Sequence, residues 1–112
     1  MSTNFIRVET KERLDSLFEE SHQRPVVFFK HSATCGISSG VKSIVSDLGT
    51  DLNLVVVQTD RELSNEIASR TNVRHQSPQA IVVRNGRAVY HASHYDITSE
   101  DIKKSMDDSE SF

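Results

Sequence analysis

Apolar residues in this chain fall into two patterns, unbroken runs and periodic stripes. "PVVFFK" (Pro25 to Lys30) is a run headed by proline, and "LNLVVVQ" (Leu52 to Gln58) is a second. A run that is apolar on both alternating sides suits a strand covered on both faces, as in a parallel sheet. Between the runs, Ile37, Val41, Ile44, Val45 and Leu48 stand at offsets of zero, four, seven, eight and eleven. That spacing is one stripe of a helix with period 3.6. Gly49 follows where a helix end wants a left-handed residue. Strand, helix and strand make a βαβ unit, whose crossover is right-handed in nearly all sheets.

The flanks read by the same rules. "NFIRV" (Asn4 to Val8) is a short strand, and "KERLDSLFEES" places Leu14, Leu17 and Phe18 at helical spacing. A third helix starts after Asp60 and packs Leu63, Ile67 and Ala68. "AIVVRNGRAVYHA" predicts a hairpin, because Asn85 and Gly86 both accept the positive φ that a tight two-residue turn demands. Thr98 caps the last helix, with Asp101 three residues on and Ile97 and Ile102 as a hydrophobic staple. Residues 107–112, "DDSESF", are acidic and predicted to fray. The order is β-α-β-α-β-α-β-β-α. It predicts an α/β, thioredoxin-like domain spanning 1–112, with a central mixed β-sheet and helices on both faces.

Totals narrow the function classes. A chain of 112 residues fits one domain whose core needs no staples. The net charge of −3 gives no general attraction to nucleic acid. No segment approaches the ~20 apolar residues of a membrane span, and the first residues hold no signal-like apolar run. The expectation is a cytoplasmic monomer with neither nucleic-acid nor membrane partners. The single cysteine, Cys35, can form no disulfide within the chain and no zinc site alone. Nor do the five histidines show metal-ligand spacing; His91 and His94, three apart on a strand end, are a weak signal, so no metal is expected.

Cys35 lies in "HSATCGISSG", between a buried strand and a helix. Ligand sites of open α/β sheets gather at that edge. As N-cap, its sulfur would face the free N–H groups of Ile37 and Ser38, and the helix dipole would add to their effect. Both favour thiolate, and helix starts bring cysteine from about 8.5 to roughly 3.5–7.5 in pKa. A buried cysteine is often only a small hydrophobe, but this one precedes the apolar stripe instead of joining it. Ser38 stands where a dithiol enzyme keeps its second cysteine. A hydroxyl can donate to a thiolate but cannot displace a mixed disulfide, so an adduct at Cys35 would need an outside thiol for release. In this fold order a cis proline faces the cysteine, so Ser77-Pro78 is expected to be cis, although X-Pro bonds are usually trans. Lys30, His31, Arg74, His75 and "HASHYD" are expected to form a basic rim at the same end.

Three stretches, "VVFFKHSATCGIS", "VRHQSPQAIVVRNG" and "VYHASHYDIT", resemble the YtxJ-like bacillithiol-system proteins, the monothiol bacilliredoxins. The resemblance runs from about Pro25 to Thr98. It implies a thiol–disulfide oxidoreductase that removes bacillithiol from protein mixed disulfides after oxidative stress. Cys35 would then be the nucleophile and Ser38 the non-resolving partner. Thr34, Gly36, Ile37, Ser77 and Pro78 would shape the substrate groove. Bacillithiol would be a co-substrate, with no bound cofactor, and S-bacillithiolated clients and a low-molecular-weight thiol would be the partners. Two positions depart from the pattern: Gly36 replaces the usual proline of T-C-P-I-S, and Tyr95 stands where tryptophan is frequent. C-G-x-S is also the signature of monothiol glutaredoxins, which carry iron–sulfur clusters. Against that alternative, the Gly-Gly-Asp segment expected after the hairpin is absent, and Lys30 stands nearer the cysteine than that family places its lysine. A catalytically silent thioredoxin-like adaptor is the third reading.

Overall fold

The computed structural model describes residues 3–32 and 36–110, with backbone only at 37, 38, 109 and 110. Five strands form one sheet: β1 (Asn4–Arg7), β2 (Val26–His31), β3 (Asp51–Val56), β4 (Gln79–Arg84) and β5 (Arg87–Ser93). Four helices accompany them: α1 (Lys11–Glu20), α2 (Gly36–Ile44), α3 (Arg61–Thr71) and α4 (Ser99–Glu110). Two 3-10 turns, Val45–Asp47 and His94–Asp96, follow α2 and β5.

The spatial order of the sheet is β1-β3-β2-β4-β5. β3 runs parallel to both β1 and β2, while β4 is antiparallel to β2 and to β5. The unbroken apolar run thus occupies the centre, where both of its faces need cover. Alternation along β2 sends Val26 and Phe28 into one core and Val27 and Phe29 into the other. The first core takes Leu14, Leu17 and Phe18 from α1 and Leu63 and Ile67 from α3, with the Phe18 and Phe28 rings stacked at 5.4 Å. The second takes Val41, Val45 and Leu48 from the α2 segment, Ile97 from just before α4 and Ile102 from α4 itself.

Local chemistry sets the element ends. Thr10 Oγ1 accepts from Arg13 N at 3.1 Å and caps α1. Thr98 Oγ1 accepts from Asp101 N at 3.1 Å at the start of α4, as the sequence predicts. Asn72 closes α3 at φ 57°, in the left-handed region. In the hairpin turn Asn85 has φ 56° and Gly86 has φ 74°. That turn is tied to the end of α1, because Asn85 N donates to Ser21 O and Gly86 N to Ser21 Oγ.

Two expectations need correction. Ile44 is 46% exposed although Val41 and Val45 are fully buried. It lies on the margin of the stripe, and the chain tightens into the 3-10 turn directly after it, which shifts the phase of the following residues. The acidic segment expected to fray from 107 continues α4 through Glu110. Met106 packs on the second core there. Lys103 and Lys104 each stand four residues before an aspartate, at the spacing where opposite charges face one another.

Replacing Thr98 by alanine is predicted to lower stability by about 1 kcal/mol, with Thr98→Ser close to wild type. Urea unfolding at fixed pH measures both.

Candidate functional site

One row of the sheet brings the relevant ends together. Lys30, at the end of β2, pairs with Gln79, the first residue of β4, and Gln79 pairs with Ser93, the last of β5. His31 pairs with Val56 at the end of β3. The segment leaving β2 is tethered as it departs: Val57 N donates to His31 O at 2.9 Å, and Gln58 Nε2 donates to Ser32 Oγ at 2.6 Å. The chain resumes at Gly36 as the first residue of α2. Thr34 and Cys35 lie outside the described residues, and the side chains of Ile37 and Ser38 are likewise not described. Cys35 is therefore located by its sequence neighbours, one residue before α2 and three after the tethered Ser32. Among the described residues, a Cβ added at Gly36 would meet nothing within 4 Å.

The other half of this edge carries the proline. The Ser77-Pro78 bond is cis, as the fold order predicts. Pro78 is buried, and Ser77 Oγ has no hydrogen-bond partner among the described residues. Pro78 O accepts from His94 N at 2.9 Å, fastening the 3-10 turn after β5 against the proline loop. His94 has φ 55°, a left-handed conformation that histidine adopts more readily than most residues. Tyr95 is 64% exposed, yet its hydroxyl reaches to 3.8 Å of where a Cβ on Gly40 of α2 would stand. The start of α2, the proline loop and the His94–Asp96 turn thus share one end of the molecule.

The expected basic rim is only partly a rim. Arg74, His75, His91 and His94 are exposed, but Lys30 is fully buried. Its strand position explains this: the pleat turns Lys30 to the same face as Val26 and Phe28, into the layer covered by α3. There Lys30 Nζ lies 3.2 Å from His75 Nδ1, and Ser64 Oγ of α3 lies 3.0 Å from the same nitrogen. Burial lowers the Lys30 pKa to about 8. Burial also lowers that of His75, helped by the positive charges of Lys30 and Arg61. His31 points to the opposite face, its ring 6.2 Å from Phe29, and is lowered by burial and by Lys42 of α2. Gln79 is buried as well; its Nε2 donates to Arg74 O at 2.9 Å and so braces the loop before the proline.

The contributions of Ser64, Gln79 and Arg61 are not visible in the sequence pattern. Lys30 left a signal: a lysine closing an apolar run lies on a strand covered on both faces, and the run extends to it without a break.

A buried parallel strand, a helix entered directly after a cysteine and a cis proline opposite define a thioredoxin-fold protein of the thiol redox class. Comparison with solved structures agrees. An oxidoreductase with a thioredoxin fold matches with a TM-score of 0.78 and 31% identity, over 90% of this chain and 92% of its own. A thioredoxin from Nicotiana alata matches with a TM-score of 0.74 and 13% identity, over 97% and 95% of the two chains. A thioredoxin variant from Halobacterium salinarum gives 0.73 and 13%, over 95% and 90%. Those two likenesses concern the fold. The chain belongs to the monothiol bacilliredoxin family, whose model, described as Monothiol bacilliredoxin BrxC, matches residues 6–102. Among the described residues no helix is long and apolar enough to cross a membrane.

The buried lysine makes a pH prediction. In the unfolded chain Lys30 holds its proton up to its ordinary pKa of 10.5, whereas in the fold it releases it near 8. Between those values the unfolded state binds more protons, so this group's contribution to stability rises with pH. Below about 8 both states are protonated and the burial cost stands in full. The wild-type minus Lys30→Met difference in unfolding free energy is predicted to rise from pH 8 to 10. Its slope approaches ~1.4 kcal/mol per pH unit for one proton. Denaturant titrations across that range read it directly.

Proposed function

We propose that Cys35 removes bacillithiol from protein mixed disulfides by a monothiol route. The family match over residues 6–102 carries this reading. It is supported by the chain's own composition, because Cys35 is its only cysteine and Ser38 holds the place of a resolving one.

In the first step the Cys35 thiolate attacks the bacillithiol sulfur of the modified client. The client–bacillithiol S–S bond breaks, a Cys35–bacillithiol disulfide forms, and the client leaves as a thiolate that takes a proton from solvent. Ser38 has no sulfur with which to break the new bond. A second bacillithiol, as thiolate, attacks the carried bacillithiol sulfur, releasing Cys35 and oxidised bacillithiol disulfide. Across both steps the client cysteine is reduced and the one free bacillithiol thiol is oxidised, while the bacillithiol taken from the client passes from one disulfide to the next with its sulfur unchanged in oxidation state. Cys35 ends as it began, so bacillithiol is co-substrate rather than resident cofactor.

The site residues have distinct parts in this proposal. Thiolate is favoured by the N–H groups and dipole at the start of α2. Thr34, Gly36, Ile37, Ser77 and Pro78 shape the groove in which the disulfide is presented. Gly36, whose added Cβ would meet no described atom within 4 Å, is proposed to leave room for a client backbone.

Cys35→Ser is predicted to abolish transfer of bacillithiol from a modified client. Ser38→Ala is predicted to slow it at most severalfold, because the hydroxyl forms no covalent bond. Timed loss of the bacillithiol mass from the client measures both. Full activity in Cys35→Ser would refute the mechanism, and total loss in Ser38→Ala would assign the hydroxyl a larger part than this.

A further inference from the structure

Beside the edge that carries Cys35 lies a cavity of about 490 Å³, lined by Val57, Gln58, Arg61, Ser64, Asn65 and His75. Its position is fixed at both sides of the proposed chemistry. Gln58 binds Ser32, and Cys35 follows Ser32 after two intervening residues, a span of at most about 11 Å of extended backbone. His75 stands three residues before the cis proline.

The lining is built for an anion. It contains a guanidinium, an imidazole, a carboxamide of Asn65 and no carboxylate. Behind it, fully buried, stands Lys30, whose described hydrogen-bond partner is an imidazole nitrogen and not an acid. As an ammonium Lys30 has only donors, so His75 Nδ1 must accept from it, with the Ser64 hydroxyl alongside. The ring's remaining proton then sits on Nε2, at the exposed edge of His75. The carboxylates nearest in sequence, Asp60 and Glu62, are not in the lining of this cavity. Asp60 takes Arg7 at 3.4 Å, and Asp60 and Glu62 line a neighbouring cavity that Arg61 also borders, not this one. Arg61 makes no ion pair among the described residues. Two positive charges therefore converge on a polar hollow with no counter-charge in its wall.

We infer that this cavity receives a carboxylate of the low-molecular-weight thiol, bound by the Arg61 guanidinium, His75 Nε2–H and the Asn65 amide. The inference rests on the proposed reaction for the identity of the thiol, since bacillithiol bears carboxylates at a distance from its sulfur. It adds what that reaction lacks, a non-covalent grip on the part of the substrate common to every client. Client sequence would then matter little, because the handle belongs to the modification and not to the protein that carries it.

The test separates binding from turnover. The full-length protein is titrated with S-methyl bacillithiol, whose blocked sulfur cannot react, while its backbone and imidazole NMR signals are followed. The same titration uses an analogue whose carboxylates are converted to amides. The acid form is expected to shift Arg61, Ser64, Asn65 and His75, and to bind at least tenfold more tightly than the amide. Arg61→Gln, an exposed change, is expected to bring the two affinities together. Equal affinities in the wild type, shifts confined to other residues, an Arg61→Gln variant that keeps the difference, or no binding would each overturn the inference. An acidic, unmodified client peptide is the last arm: if it alone shifts these residues, the cavity serves the client and not the thiol. Turnover of a bacillithiolated client by the wild type is scored separately, so the reaction can stand while the cavity assignment falls.

Discussion

Much of this molecule follows from the need to cover β2 on both faces. The strand lies between β3 and β4, so every backbone donor and acceptor along it can be paired within the sheet. Its side chains from Val26 to Lys30 are buried on both sides. α1 and α3 close one face with Leu14, Phe18 and Ile67, and the α2 segment and α4 close the other with Val41, Val45 and Ile102. A strand held this way ends at a fixed height and direction. The chain leaving it is pinned at His31 and Ser32 by the Val57–His31 and Gln58–Ser32 bonds, and Cys35 follows three positions later in sequence.

The same constraint explains why a lysine sits in the interior. Register places Lys30 opposite Gln79 and on the face of Phe28, so it cannot reach the rim without leaving the sheet. An unpaired ammonium there is costly, and the fold answers with the imidazole of His75 and a lowered proton affinity. The result is a polar chain, Lys30–His75–Ser64, linking the central strand, the loop before the cis proline and α3. Gln79 braces that loop from inside, and His94 fastens the far turn to Pro78. The candidate site is thus held by polar contacts at the sheet edge, whereas the layers below it are held by apolar packing.

The balance between what could be read in the chain and what could not follows this division. Apolar periodicity announces β2, β3 and α2, because each of those elements buries a continuous run or a stripe of apolar residues. Turn and cap chemistry announces Asn85-Gly86 and Thr98, because only a few residue types satisfy those backbone positions. Ile44 escaped, since a residue on the margin of a stripe is decided by the 3-10 turn after it, and periodicity does not register that change of winding. The 107–110 segment escaped because composition ignores the hold that Met106 has on the core. Lys30, His75 and the α3 pair Arg61 and Ser64 come from three separate stretches, and their meeting depends on strand register and helix placement. The cis proline was legible, but its polar surroundings were not.

The central claim is that Cys35 takes up bacillithiol from a modified protein and holds it as a disulfide. Intact-mass spectrometry after mixing the protein with a bacillithiolated client, in the absence of free thiol, tests this most directly. The account predicts an added mass of one bacillithiol on Cys35, equal loss from the client, and far less transfer from a glutathionylated client at the same concentration. An unmodified Cys35 beside a client that keeps its bacillithiol would contradict it.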